Sequence, residues 1–80
     1  MLTVSEQLQE LHKRGWRDER VATWIGDRYR LVLDSHAATG PSSQSVYRWR
    51  RGQTQPSEFH TELISELYLG EIHDEENHRN

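Results

Sequence analysis

The apolar residues of this 80-residue chain recur at steps of three and four from one end to the other and nowhere alternate for long enough to build a strand. That spacing restricts the chain to an all-α fold. "TVSEQLQELHKRG" opens with Thr3 and Glu6 at capping-box spacing, puts Val4, Leu8 and Leu11 on one face, and meets Gly15 as a stop. "RDERVATWIGDRYRLVLDSHAATG" carries the stripe on through Val21, Trp24, Ile25, Tyr29, Val32 and His36, with Asp18 and Asp27 as candidate N-caps and Gly26 as a weak point. This predicts two helices, 18–25 and 28–39, with one kinked helix as the alternative. After Gly40-Pro41, Ser42 can cap a helix that runs to Arg51 and stops at Gly52. Ser57 starts a last one, whose Phe59, Leu63, Ile64 and Leu67 face inward and which ends at Gly70. The expectation is a small helical bundle of about five helices within one domain, residues 1–70, followed by a polar, acidic, flexible tail, 71–80.

With 32% apolar residues and a mean hydropathy of −1.01, the core of such a bundle is lean. The absence of cysteine removes disulfides and thiolate metal sites as supports. The longest aliphatic run is Leu31-Val32-Leu33, far too short for a membrane span, so no membrane is expected as a partner and a cytoplasmic location is. Net charge is −3, but unevenly distributed: residues 1–56 hold nine Lys or Arg against six Asp or Glu, and residues 57–80 hold one Arg against seven acids. The first part is the candidate for an anionic partner.

The basic residues converge on "GPSSQSVYRWRRGQTQPS", residues 40–57. In a helix over 43–51, Val46 and Trp49 lie three apart and face inward, while Ser43, Gln44, Tyr47, Arg48 and Arg51 point outward. A short helix showing Gln and Arg suits the major groove: Arg pairs bidentately with guanine, Gln with adenine, and Ser with either. Ser43, Gln44, Tyr47 and Arg48 are therefore the candidate base-reading residues, and Ser42, Arg50, Arg51 and Gln53 the candidate contacts to the DNA backbone.

"ATGPSSQSVYRWRRGQTQPS" resembles the second half of the helix-turn-helix of lambda-repressor-like (Xre-type) regulators, through Gly40, Ser42, Ser45-Val46, Trp49, Gly52, Pro56 and Ser57. The likeness spans about residues 31–69. It implies base-facing roles for Ser43, Gln44 and Arg48 and a backbone contact for Arg51. In the register ending at Gly40, Ser35-His36 stands where the family has an aliphatic-Ala pair, and two helices precede the motif instead of one. A competing register uses Val21-Ala22 as that pair and needs a long insertion before the recognition helix. The register ending at Gly40 is the one adopted.

Other signals have plainer readings. Trp16, Trp24, Trp49 and Tyr29 follow the apolar stripe and are core residues rather than base-stacking platforms. His36 belongs to the same stripe, and His73 and His78 lack the i, i+4 spacing of a helical metal pair, so no metal or other cofactor is expected. No Ser-His-Asp order or glycine-rich phosphate loop is present, and Glu58, Glu62 and Glu66 lie on a solvated face, so the chain does not read as an enzyme. Two functions follow. The first is a small DNA-binding transcriptional regulator that acts as a homodimer on double-stranded DNA. The second is a helical protein-interaction adaptor, antitoxin-like or inhibitory, that does not bind DNA and engages a protein through its charged faces, the acidic C-terminal segment among them.

Overall fold

The computed structural model describes residues 2–33 and 39–78, and side chains as far as Asp74. Among the described residues there are four helices and no strand: α1 (Val4–Lys13), α2 (Asp18–Leu33), α3 (Ser43–Arg50) and α4 (Glu58–His78). The all-α expectation stands, and the count of five gives way to four.

Local chemistry accounts for most of the boundaries. Thr3 accepts the Glu6 amide while the Glu6 carboxylate accepts the Thr3 amide, closing the capping box, and these bonds hold the Glu6 carboxyl below its ordinary range. α1 ends as Gly15 takes φ +95°, its amide donating to the His12 carbonyl and the next amide, of Trp16, to that of Leu11. Gly52, at φ +74°, closes α3 the same way, with its own amide on Trp49 and that of Gln53 on Arg48. Ser42 accepts the Ser45 amide at 3.1 Å, and Ser57 accepts the His60 amide at 3.3 Å.

Two boundaries differ from the expectation. α2 passes through Gly26 without interruption, so the proposed break between 25 and 28 is absent; Asp27, put forward as a cap, sits mid-helix beside Arg30, and Asp18 is the first helical residue rather than the cap before it. Of the rest of the expected 28–39 helix, residues 34–38, with Ser35 and His36, lie outside the described ones, and Thr39 is not helical. α4 likewise continues past Gly70 to His78, where a tail was expected. A mid-helix glycine costs only about 1 kcal/mol. In α4 that cost is met by good helix formers around it and by the half-buried Glu71 and Ile72 just beyond.

The core gathers Leu8 and Leu11 of α1, Trp16, Val21, Ala22 and Ile25, Val46 and Trp49 of α3, and Leu63, Ile64 and Leu67 of α4, with Val4, Trp24, Phe59 and Tyr68 packed around it. α3 lies against both α1 and α2, and α4 against the same two. The α2 stripe is shorter than its sequence spacing implies. Tyr29 still packs edge-on against Phe59, but Val32 is 60% exposed beside the open Leu31 and Leu33. Among the described residues the buried part of the stripe ends before Leu31.

Candidate nucleic-acid interface

α3 is divided into two faces. Val46 is fully buried and Trp49 is 8% exposed, its ring 5.5 Å from the His60 imidazole of α4. Gln44, Tyr47, Arg48 and Arg51 are exposed, Ser43 is half-buried in the first turn, and no acidic residue lies on the helix. The Tyr47 ring sits amid cations, with the guanidinium carbons of Arg50 and Arg51 at 5.3 and 5.9 Å from its centroid. Of the flanking candidates, Gln53 is exposed, and the Ser42 hydroxyl, though exposed, is occupied as the helix cap.

The turn before α3 is seated on α2 by two glycines. A Cβ on Gly40 would lie 2.4 Å from the Gly26 Cα and 2.9 Å from its nitrogen. Gly40 is thus the residue that must lack a side chain for the turn to lie on α2, whereas a Cβ on Gly26, buried between Ala22 and Arg30, would meet Gly40 at an ordinary 3.5 Å. It is therefore the Val21–Gly26 part of α2, the part used by the competing register, that touches the turn into α3; the Ser35-His36 pair of the adopted register lies outside the described residues.

Arg50 stands apart from the other arginines. Its Nε and Nη2 donate to the two carboxylate oxygens of Asp18 at 3.0 and 3.1 Å, with the two side chains only 17% and 16% exposed. That bond to Asp18 holds the guanidinium pKa above its ordinary value. The Arg50 carbonyl is held from the other side, accepting from the Ser5 hydroxyl at 2.7 Å and from the Gln9 amide at 3.4 Å. The sequence reading placed Arg50 on the DNA backbone; its fork is turned inward to Asp18 instead. The sequence carries no sign that Asp18, read there only as a cap, or Ser5 and Gln9 meet Arg50, because the contacts span 32, 45 and 41 residues.

Two arginines of α2 lie against indole rings. Arg28 pairs with Glu66 and stands 5.5 Å from the Trp24 ring, and Arg20 covers the Trp16 ring at 3.8 Å. Among the described residues no group of three or more His, Cys, Asp or Glu could hold a metal ion, and no helix is long and apolar enough to cross a membrane. The chain matches no family model, no curated protein and no solved structure.

Proposed function

We propose that this chain is a sequence-specific double-stranded DNA-binding protein, a small transcriptional regulator of lambda-repressor-like type, which enters the major groove with α3. The observation that carries this reading is the composition of one face of α3: Gln44, Tyr47, Arg48 and Arg51 are all exposed with no carboxylate among them, on a helix anchored from behind by Val46 and Trp49. Gln and Arg one turn apart offer the donor and acceptor patterns of adenine and guanine edges, with Ser43 and Tyr47 beside them. Arg51, Gln53 and the exposed edge of Ser42 flank that face and take the phosphates, while Arg50 leaves the contact set. The glycine-to-glycine seat of the turn on α2 supports the reading, since a helix that reads bases needs a fixed orientation on its scaffold.

Selection of bound sequences from a random duplex pool, followed by a salt series on the enriched site, tests the proposal. An enriched motif is expected, with binding that falls steeply as salt rises. The rival reading is an adaptor that takes a basic protein on the exposed carboxylates of α4, Glu58 and Glu62 among them, with Glu66 already paired to Arg28. It predicts no enrichment, and no duplex binding even at low salt.

A further inference from the structure

Three helices meet at one residue of α3. α1 supplies Ser5 and Gln9 to the Arg50 carbonyl, one of the carbonyls that the end of a short helix leaves without an intrahelical partner. α2 supplies Asp18 to the Arg50 guanidinium through a two-point fork. Asp18 is also the first residue of α2, where the helix N-terminus favours a carboxylate. The Gly26–Gly40 contact fixes the entry to α3, and the Arg50 cluster fixes its exit.

We infer that Arg50 is a positioning residue: clamped by Asp18 and by the Ser5–Gln9 pair, it sets how α3 is presented to DNA without touching DNA itself. The inference rests on the DNA-binding reading for its consequence, though the clamp itself can be tested without DNA. A guanidinium held at two points resists rotation of the helix end in a way that a single point charge does not. Arg48 and Arg51, on the open face, then depend on Arg50 for their angle.

The test uses the full chain with Arg50→Lys and Asp18→Asn, each at a temperature where it is fully folded. Arg50→Lys keeps the positive charge and loses the fork; Asp18→Asn keeps the shape and frees Arg50. The clamp predicts that both weaken the selected site by about tenfold while random-duplex affinity does not fall, and that the salt slope stays at the parent value. A phosphate-contacting Arg50 predicts near-parent behaviour of Arg50→Lys and tighter binding of all DNA by Asp18→Asn; that result overturns the inference. A pair serving only overall stability predicts a lower melting temperature with the ratio of selected to random affinity unmoved, which overturns it equally. Amide exchange in free protein is the second arm. The amides of Arg51, Gly52 and Gln53, which donate to Tyr47, Trp49 and Arg48, should exchange about tenfold faster in both variants, with α4 unchanged. Uniform acceleration, or none, overturns the clamp. Should the parent bind no DNA, the functional reading fails by itself and this exchange arm alone decides whether Arg50 holds α3.

Discussion

Trp49 and Arg48 are neighbours in sequence with opposite environments, the indole packed inside and the guanidinium open to solvent. Trp49→Ala should cost about 3–5 kcal/mol, a large part of the stability of a chain this small. Chemical denaturation checks it, and an unchanged midpoint would contradict the burial of that face. Arg48→Ala and Arg51→Ala should both stay folded and should differ in kind when bound to DNA. Loss of Arg48 should cost about 1–3 kcal/mol on the selected site and relax the preference at one base pair, a guanine. Loss of Arg51 should weaken selected and random duplex alike and lower the salt slope by about one. Titrations over a salt series check both, and identical behaviour would remove α3 as the reading helix. The two facing glycines give a contrast of sign. Gly40→Ala drives a methyl into the α2 backbone and should destabilise by about 1–3 kcal/mol. In Gly26→Ala the added methyl meets Gly40 at an ordinary 3.5 Å, and the helix gains about 0.5–1 kcal/mol from losing a glycine. Thermal melts of the pair should move in opposite directions.

At the level of elements, α3 meets α4 through the shared apolar core and through the Trp49 and His60 rings. The His60 imidazole lies 5.5 Å from Trp49 and 6.0 Å from Tyr29, and burial there holds its pKa below the ordinary value. In the unfolded chain His60 takes its proton at about pH 6.5, before the folded protein does. Its contribution to stability is therefore complete above that pH and is lost as the pH falls toward the lower, folded value. Unfolding free energy measured between pH 7.5 and about 5.5, above the range where carboxylates titrate, should decline on acidification, and His60→Gln should flatten that decline. An equal slope in the variant would assign the effect elsewhere. The element ends show why some structure is readable from sequence. The caps at Thr3, Ser42 and Ser57 work across three residues, and the stops at Gly15 and Gly52 depend on one residue's backbone freedom. Gly26 and Gly70 carry the same local signal and end nothing. In α2 the turn at Gly40 packs on Gly26, whereas at Gly70 a Cβ would meet nothing within 4 Å and the helix runs on into the half-buried Glu71 and Ile72.

For the whole molecule, the proposed function turns on how few base pairs one helix can reach. α3 has eight residues, about 12 Å of helix, so under the proposed DNA-binding reading it would reach about four base pairs, too few for a useful preference alone. We therefore expect a two-fold homodimer on DNA, with half-sites about one helical turn, roughly 10 base pairs, apart. Sedimentation of the complex checks this, and a monomer on a single unrepeated site would refute it. The sequence by itself determined the all-α class, the caps at Thr3, Ser42 and Ser57, the inward pair Val46 and Trp49, and the open face of α3, because each follows from helical periodicity or from groups within about one turn of each other. Only the tertiary structure decided that residues 18–33 form one helix, that Val32 is left in solvent, that Gly26 receives Gly40, and that Arg50 turns inward to Asp18 while Arg48 and Arg51 stay outward. Three arginines within four residues look alike in sequence; what separates them is which side of α3 meets α1 and α2, a contact closed across more than 30 residues of chain.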